Sequence, residues 1–363
     1  MLKKPRILVV GSLSMDLTAS ARRAPGAGET VIGLSFSTAP GGKGANQAVQ
    51  CARLGARTTF VGQVGADPFG SSLLETVEAQ GVDTSHVTVD PSAPTGVAQI
   101  LLEITDQGAQ NRITACPGAN FTLTVDQVSW LEGAIGDYDM VLLQFELPMA
   151  VNEAVAGWAR AAGVPVMVNP APAAPLSPAL TACATYLSPN EYEAAALSGL
   201  PIRSDAAGFS LEDVAAAAMD LRAQGAAYVL VTLGEHGAVL AGPEGLQQTP
   251  CVRMPQVADP TAAGDSFVAA FCTGLCAGLS QGEALTFASH AAALTVSRSG
   301  AMPSLPTAAQ VQTLLRERGC SAFDPGLLDA LAGNPPARPR ACLKHVNMPN
   351  QRGFCPLDGA IFP

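Results

Sequence analysis

Charged and aromatic side chains are scarce in this sequence of 363 residues, at 14% and 5% respectively. Basic residues are the scarcer sign, with 20 Lys and Arg against 30 Asp and Glu, which gives a formal charge of −10. This balance leaves no excess of cations to neutralise a run of phosphates and argues against a nucleic-acid partner. A small phosphorylated ligand is compatible with it, because backbone N–H groups at helix starts can hold an anion.

Long hydrophobic runs are also missing. The apolar run at 7–10 is too short for the core of a signal peptide. The stretch 267–279 is interrupted by Thr and Gly and is too short to span a bilayer. We therefore expect no membrane segment and a cytoplasmic protein.

The nine cysteines are odd in number and widely scattered, and they contain no C-x-x-C pair. This usage agrees with reduced thiols in the cytoplasm. Cys272 and Cys276 are one helical turn apart without a nearby His, which favours packing in a core helix over metal binding.

Hydrophobic residues make up 48% of the chain, which argues against a mainly disordered or coiled-coil protein. The length allows one large or two modest domains. Short β-rich runs alternate with amphipathic stretches, which predicts an α/β fold with a mostly parallel sheet covered by helices. The predicted strands are 7–10, 59–62, 140–144, 166–169, 228–232 and 238–241. One helix has readable ends, since Ser210 and Asp213 predict a capping box and Gly225 predicts its end.

Two segments, 31–37 and 97–104, alternate strictly between apolar and polar residues. A turn at 106–108 then leads to a further strand at 112–115. We interpret these strands as a small antiparallel sheet, inserted at about 14–42 and 95–116 as a lid over the ends of the main strands. One face and the edges of such a lid would need a partner, which predicts a homodimer through the lid.

The character of the chain changes near its C-terminal end. Residues 307–319 still have a helical pattern, but from residue 320 Pro and Gly recur without sustained periodicity. We predict a main domain at 1–319 and a disordered tail at 320–363.

The first candidate for chemistry is the run Pro-Gly-Gly-Lys-Gly-Ala-Asn-Gln-Ala at 40–48. Adjacent glycines let a ligand approach the backbone closely, and Lys43 and Asn46 can reach the same place from the first helical turn. The run is not a Walker loop, because Ser37 and Gly44 stand where that motif needs Gly and Ser or Thr. An ordinary strand-to-helix turn is the alternative interpretation.

The second candidate is Asp-Pro-Thr-Ala-Ala-Gly-Asp-Ser at 259–266, ahead of a helix rich in small residues. Small residues before a helix leave N–H groups free to hold an anion, and Asp265 beside them can take the proton of an attacking hydroxyl. This combination suits phosphoryl transfer. Asp265 as a simple helix N-cap is the alternative.

Together these runs resemble the ribokinase-like, or pfkB, family of sugar kinases, with a likeness that extends over roughly residues 5–306. Further matching strings are those at 11–16, 169–173, 189–191, 232–234 and 300–304. The resemblance implies a three-layer sandwich with a β-sheet lid and an ATP-dependent kinase acting on the O5 hydroxyl of D-ribose. The alternatives are another sugar or nucleoside, such as deoxyribose, fructose or adenosine, or a non-catalytic relative that binds a sugar or nucleotide.

The resemblance also implies roles for individual residues, with Asp265 as the catalytic base. The sugar would be held by Ser14, Asp16, Gly42, Lys43, Asn46, Glu146 and Asp265. The nucleotide would be held by Asn190, Thr232, Leu233, Gly234, Glu235, His236, Gly237, Gly264 and Asp265. The N–H groups of an anion hole would come from Ala262, Ala263, Gly264 and Asp265.

Two ions are implied as well. Mg²⁺ would be organised through water by Asn190 and Glu193, which are also typical of a plain helix start. A monovalent cation, K⁺, would be bound by Asp259, Thr261, Thr295, Arg298, Gly300 and Ser304. Ser14 departs from the family pattern, since bacterial members usually carry Asn there, so the preferred sugar is less determined than the reaction.

Overall fold

The structure is a computed structural model that describes residues 2–105, 108–205 and 208–332. Its strands are β1 (Arg6–Val10), β2 (Ser14–Ala21), β3 (Ser35–Gly41), β4 (Arg57–Gly65), β5 (Asp83–Asp90), β6 (Gly96–Thr105), β7 (Gly108–Cys116), β8 (Met140–Gln144), β9 (Val166–Asn169), β10 (Tyr186–Leu187), β11 (Ser204–Asp205), β12 (Gly208–Phe209), β13 (Tyr228–Thr232), β14 (Ala238–Gly242) and β15 (Gly245–Thr249). Its α-helices are α1 (Lys43–Arg53), α2 (Pro68–Ala79), α3 (Val125–Val128), α4 (Leu131–Ala134), α5 (Met149–Ala161), α6 (Pro178–Cys183), α7 (Glu191–Ser198), α8 (Leu211–Ala223), α9 (Ala263–Ala277), α10 (Gln281–Val296), α11 (Ala301–Ser304), α12 (Ala308–Glu317) and α13 (Asp329–Ala332).

The central sheet has nine strands in the order β15-β14-β13-β10-β9-β8-β1-β4-β5. Strand β1 pairs in parallel with β4 and β8, whereas β14 pairs antiparallel with β13 and β15. Both faces are buried: Ile7 and Val9 point into one hydrophobic cluster, and Leu8 and Val10 into another. Helices α1, α9, α10 and α12 cover the first face, and α5 and α8 cover the second. The predicted α/β three-layer sandwich is confirmed.

All six strands predicted for the main sheet are present. The missed strands carried weak signals: β5 is mostly polar, β10 has two residues, and β15 reads Gly-Leu-Gln-Gln-Thr. Helix α8 begins as predicted, with the Ser210 hydroxyl accepting the N–H of Asp213. A capping box also needs the Asp213 carboxylate to accept the N–H of Ser210, and this part of the prediction is wrong. The Asp213 carboxylate binds the Arg203 guanidinium at 2.7 Å instead.

The lid is a separate sheet of four strands in the order β3-β2-β6-β7. The prediction of a wholly antiparallel lid is wrong, since β2 and β6 run parallel. Strand β2 was missed, and β3 begins only at Ser35, so Ile32 and Leu34 of the predicted strand precede it. The predicted turn at 106–108 lies largely outside the described residues.

Part of the predicted tail is packed on the main domain. Phe323, Leu328 and Leu331 are buried in the cluster that also contains α1 and α12. A Cβ at Gly55, which follows α1, would lie 2.4 Å from the Leu331 carbonyl oxygen. Gln312 Nε2 also donates to the Pro325 carbonyl at 2.8 Å and to Asp329 Oδ1 at 2.7 Å. Residues 320–332 are therefore corrected from tail to folded domain, because buried apolar side chains and hydrogen bonds tie them down. The rest of the predicted tail, 333–363, lies outside the described residues.

The seven cysteines of the described residues have free thiols. Cys272 is fully buried in α9, and burial raises its pKa well above the ordinary value. Burial also raises the pKa of Cys276 to about 12. These thiols are packing groups, as the sequence predicted. No helix in the described part of the chain is both long and apolar enough to cross a membrane.

Candidate active site

A cavity of about 130 Å³ lies at the carboxyl ends of the parallel strands, where Asn169 ends β9 and Thr232 ends β13. In open parallel sheets this edge is where ligands bind. Both candidate runs contribute to its walls, although they are far apart in the sequence. The predicted site residues that line it are Lys43, Asn190, Glu193, Thr232, Ala262, Ala263, Gly264 and Asp265.

Helix α1 begins at this edge without a side-chain cap from Gly42, whose φ is 94°. Glu146, which follows β8, supplies the acceptor instead: its Oε2 accepts the N–H of Lys43 at 3.0 Å and the hydroxyl proton of Ser12. The Ser12 hydroxyl also accepts the N–H of Gly44 at 3.4 Å. A carboxylate is stabilised at a helix N-terminus. Glu146 therefore fixes the start of α1 in addition to its predicted role as a sugar ligand.

Asp265 lies in the first turn of α9 and is only 7% exposed. Its Oδ2 accepts an N–H from Asn46 Nδ2 at 3.0 Å, and its Oδ1 accepts one from Gln47 Nε2 at 3.1 Å. The N-cap of α9 is Ala262, and no side chain caps that helix. The alternative that Asp265 is a simple N-cap is therefore wrong, and its carboxylate joins the two candidate runs.

Carboxylates dominate the charge around Lys43. Burial lowers the pKa of the Lys43 amino group, but attraction to Asp265, Glu146 and Glu193 outweighs burial and leaves it raised. Burial raises the pKa of Asp16 to about 6, and repulsion from Glu146 and Asp265 adds to that shift. Hydroxyl groups of a ligand would relieve this crowding by donating hydrogen bonds to the carboxylates.

The start of α9 has the geometry of an anion site. Ala262 is the one non-glycine residue of the described chain with positive φ, at 62°, a conformation that costs about 1 kcal/mol for a residue with a Cβ. With no side-chain cap, the first-turn N–H groups of Gly264 and Asp265 are available to a ligand. The N–H of Ala263 instead bonds the Pro260 carbonyl at 3.2 Å, so in this arrangement it is engaged.

Asn190 and Glu193 form a reciprocal capping box at the start of α7 and also line the cavity. The Glu193 N–H bonds Asn190 Oδ1, and the Asn190 N–H bonds Glu193 Oε2, both at 2.8 Å. Burial raises the pKa of Glu193, and Glu191 and Asp265 add to it. The interpretation of Asn190 and Glu193 as a helix start is confirmed. The capping box uses Oε2 of Glu193 and leaves its other carboxylate oxygen outside these two hydrogen bonds.

The predicted nucleotide segment 232–237 forms the turn between β13 and β14. Its short 3₁₀ helix, Gly234–His236, is closed by the N–H of Leu233, which donates to the Gly237 carbonyl at 2.8 Å. Gly237 is required there, because its φ is 91° and a Cβ would lie 2.0 Å from the Thr249 carbonyl oxygen. Thr232 is the member of this segment that lines the cavity.

The predicted cation ligands come together beside the start of α9, since Asp259 and Thr261 directly precede that helix. Asp259 accepts the N–H groups of Thr261 and Gly300, each at 2.9 Å. Burial raises the pKa of Asp259, but these hydrogen bonds outweigh it and leave it lowered. The buried Ser304 hydroxyl donates to a carbonyl in α11 at 2.7 Å, and Arg298 Nη1 lies 3.4 Å from the Ser304 carbonyl. The N–H of Arg298 in turn bonds the Thr295 carbonyl at 3.2 Å.

Some polar residues of the site received no role from the sequence. They are Ser12, Gln47 and Asn120, and also Asn169 and Ser188 in the cavity wall. Asn120 is buried and bonds both backbone groups of Leu13, and its Nδ2 lies 3.3 Å from the Ser14 hydroxyl. Ser12 and Gln47 lie inside the matching strings, so their position there was an available signal. Asn120 follows the lid 106 residues after Ser14, and no local pattern marks it.

Comparisons with known proteins agree with this geometry. Residues 4–308 match the family described as pfkB family carbohydrate kinase. The ribokinase of Bacillus subtilis is 38% identical over 309 residues, which cover 85% of this chain and 99% of that protein. The ribokinase of Schizosaccharomyces pombe is 36% identical over 312 residues, which cover 84% of this chain and 96% of that protein.

A solved structure of Arabidopsis thaliana ribokinase complexed with ribose and ATP is similar over most of its length. It matches with a TM-score of 0.79 at 34% sequence identity and covers 86% of this chain and 99% of that chain.

Proposed function

The chain belongs to the pfkB family of carbohydrate kinases, and we propose that it phosphorylates D-ribose at O5 with ATP, giving D-ribose 5-phosphate and ADP. The observation that carries this proposal is the meeting of Asp265, Lys43 and the uncapped start of α9 in one cavity. The similarity to ribokinases over nearly their whole length supports ribose as the sugar.

The sugar is held on the α1 side of the cavity. Asp16 and Glu146 accept hydrogen bonds from its hydroxyl groups, and Gly42 lets it approach the backbone. Asn46 Oδ1 is buried and has no hydrogen-bond partner among the described residues. A buried amide oxygen without a partner costs about 1–3 kcal/mol, and a sugar hydroxyl removes that cost. Ser14 begins β2 and pairs with Gly41, next to Gly42.

Phosphoryl transfer needs a base, a positioned phosphate and stabilisation of charge. The Asp265 carboxylate takes the proton of the sugar O5 hydroxyl as O5 forms a bond to the γ-phosphorus of ATP. The bond from that phosphorus to its bridging oxygen breaks, and ADP leaves. The N–H groups at the start of α9 and the Lys43 ammonium stabilise the charge on the moving phosphoryl group. The nucleotide lies along Asn190 and the 232–237 turn.

Mg²⁺ fits the opposite wall. Glu193 lines the cavity, and the capping box uses its Oε2 alone. Burial raises its pKa, and repulsion from Glu191 and Asp265 adds to that shift. Carboxylate oxygen and water are the ligands that Mg²⁺ prefers, so Glu193 and Asn190 would hold it through its water shell. When bound, the ion neutralises charge on the phosphates.

A coupled assay of ADP release tests the reaction. We expect turnover with ribose and ATP. Turnover should be weaker with deoxyribose, because a buried polar site rejects an analogue that lacks a hydroxyl. It should also be weaker with fructose and adenosine, which are larger than ribose and place their hydroxyl groups differently. Stronger turnover with adenosine or fructose than with ribose would contradict the choice of sugar. Absence of turnover with all four would leave a non-catalytic binding protein.

The raised pKa of Asp16 predicts that ribose binding weakens in mild acid. Ionised Asp16 accepts hydrogen bonds, and its protonated form loses part of that capacity, so binding is strongest above a pKa of about 6. Between pH 7.5 and 5.5 the ribose Kd should rise by up to about fourfold, as the ionised fraction falls. Calorimetry on the wild type measures this, with Asp16→Asn as a variant whose weaker binding is flat over that range. A flat wild-type Kd would exclude the role.

A monovalent cation fits the loop that Asp259 and Gly300 close. The oxygens that this loop offers as ligands belong to carboxylate, hydroxyl and carbonyl groups, which suit a hard cation such as K⁺. The ion would shape the start of α9 from behind without contacting the sugar. Activity should therefore rise several-fold when KCl is added to enzyme in a buffer free of Na⁺ and K⁺, and Asp259→Ala should abolish that response. Equal activity across the titration would show that the loop needs no cation.

A homodimer through the lid is supported by the register of its strands. Asp16 pairs with Ala98, and Ile100, two residues further along, pairs with Ile113, so these residues share one face. Beyond Asp16, the proposed sugar ligand, that face of the lid carries the apolar residues Ile100, Leu102, Ile104 and Ile113. Ile113 is 57% exposed. An isologous partner lid would cover it and would hold Asp16 in place.

Ile113→Asp should dissociate this dimer and raise the ribose KM, because the substitution buries a charge in an apolar interface. Phe36→Asp is the matched control, since Phe36 is exposed on the opposite face, paired with Ala19. Sedimentation at working concentration measures both variants. A wild type that is monomeric and fully active would refute the dimer, and a larger effect of Phe36→Asp would move the interface to the other face.

Residence of the protein in the cytoplasm stays a prediction.

A further inference from the structure

Gln47 is a buried residue of the site to which the proposed mechanism gives no task. It lies in α1, directly after Asn46, and is fully buried. Its Nε2 lies 3.1 Å from Asp265 Oδ1 and 3.1 Å from Asn169 Oδ1. Its Oε1 accepts an N–H from Gln144 Nε2 at 2.7 Å. Gln47 therefore lies behind the cavity wall that Asp265 and Asn169 form.

A backbone carbonyl fixes the direction of these hydrogen bonds. The Ser188 carbonyl can only accept, and Asn169 Nδ2 donates to it at 2.8 Å. Asn169 Oδ1 therefore faces Gln47 and must be met by an N–H group. Gln47 cannot flip, because its carbonyl oxygen would then face both Asn169 Oδ1 and the Asp265 carboxylate.

The two donors that hold Asp265 differ in freedom. Both N–H groups and the carbonyl oxygen of Gln47 are engaged, so its bond to Asp265 Oδ1 has no competing orientation. Asn46 Oδ1 has no partner among the described residues, so the Asn46 amide can reorient when a sugar arrives. Gln144 Oε1, at the far end of this network, has no partner among the described residues, but the Gln47 amide itself is fully hydrogen-bonded and so keeps one orientation. Gln47 is therefore the fixed donor and Asn46 the adjustable one.

We propose that Gln47 is the positioning residue of the base, holding the Asp265 carboxylate in the rotamer that faces the sugar hydroxyl and tying it to the end of β9 through Asn169. The inference rests on the proposed role of Asp265. A proton acceptor works only within hydrogen-bond reach of its proton, and a displacement of about 1 Å can cost 10²-fold in rate. Gln47 acts through Asp265, so it governs turnover and leaves sugar affinity nearly unchanged.

Gln47→Met removes both donors at nearly constant volume. We expect kcat to fall by about 10- to 100-fold while the ribose KM stays within about threefold. Gln50→Met is the matched control, because Gln50 is equally buried in α1 but donates to the Pro306 carbonyl at 3.3 Å. It should lower the melting temperature by a similar amount and keep kcat within about threefold. Equal losses of kcat in both variants, or none in Gln47→Met, would overturn the proposal.

Asp265→Asn tests whether Gln47 acts through the base. In that background Gln47→Met should leave the residual kcat unchanged, because there is no base to position. A further fall of about tenfold or more would show an independent role and overturn the proposal. Gln47→Glu repeats the comparison if the Met variant does not fold, since it keeps the volume and places an acceptor against Asp265.

A crystal structure of Gln47→Met gives a readout that does not depend on the reaction. The Asp265 carboxylate should be rotated or split between two conformers, whereas Gln50→Met should keep the single wild-type rotamer. An unchanged Asp265 in Gln47→Met would overturn the positioning role. Absence of turnover by the wild type with ribose and ATP would count against the proposed function alone.

Discussion

Asp265→Asn lowers kcat for ribose phosphorylation by about 10²- to 10⁴-fold, the range for loss of a general base, and keeps the ribose Kd within about threefold. The carboxylate is the proton acceptor closest to the start of α9, and an amide cannot take its place. Binding survives because the new amide can be accommodated. It would turn its oxygen to Gln47, and Asn46 would flip to offer Oδ1 to the new N–H group. The flipped Asn46 would then donate its N–H to the sugar hydroxyl, which can accept as well as donate.

The coupled assay gives kcat and calorimetry gives the ribose Kd. Asp213→Asn is the matched control, because Asp213 is also in the first turn of a helix but binds Arg203 on the surface of α8. It should keep full turnover. Turnover of Asp265→Asn within about tenfold of the wild type would remove Asp265 from the role of base.

Gly44→Ala should raise the ribose KM by about 100-fold or more and lower kcat as well, because it displaces the helix that carries Lys43 and Asn46. A Cβ at Gly44 would lie 2.5 Å from the Ser12 nitrogen and 2.6 Å from the Gly11 Cα, both backbone atoms that cannot move aside. Helix α1 must therefore shift away from the end of β1. Overpacking of this kind costs about 1–3 kcal/mol of stability.

Gly157→Ala separates the steric effect from the general effect of a glycine substitution. Gly157 lies inside α5, and a Cβ there meets nothing within 4 Å. That change should leave activity intact and stabilise the fold by about 0.5–1 kcal/mol, because alanine is the better helix former. Melting curves and ribose titrations on both variants measure the difference. A Gly44→Ala enzyme with wild-type KM would show that α1 does not set the sugar site.

The sequence alone predicted the main strands and the two runs that carry the chemistry, because each is a local pattern. Buried strands such as 140–144 and 166–169 are continuous apolar runs, and such runs are visible without knowledge of the fold. Residue roles at Lys43, Asn46 and Asp265 followed from short motifs. The small lid was predicted from alternation, but its β2 strand and its parallel pairing were not, because pairing depends on partners far along the chain.

The amide network behind the base is a tertiary feature. Asn46 and Gln47 meet Asp265 across 219 and 218 residues, and Gln47 meets Gln144 across 97. The matching string marks Asn46 and Gln47 as residues of the site, but it does not show which side chains they meet. The folded state of 320–332 also depends on the tertiary structure. Its three apolar residues are buried because they pack in the cluster that contains α1 and α12.

The sequence by itself determined the six main strands, the start of α8 and the runs that carry glycine, lysine and aspartate, since propensity, capping and periodicity act over a few residues. Only the tertiary structure decided that Glu146 accepts the N–H of Lys43 at the start of α1. It also decided that Asp265 accepts hydrogen bonds from two side-chain amides rather than capping α9, and that Ala262 adopts a positive φ. The physical reason is that a buried polar group takes its partner from whatever the fold brings within about 3 Å, whatever the distance along the chain.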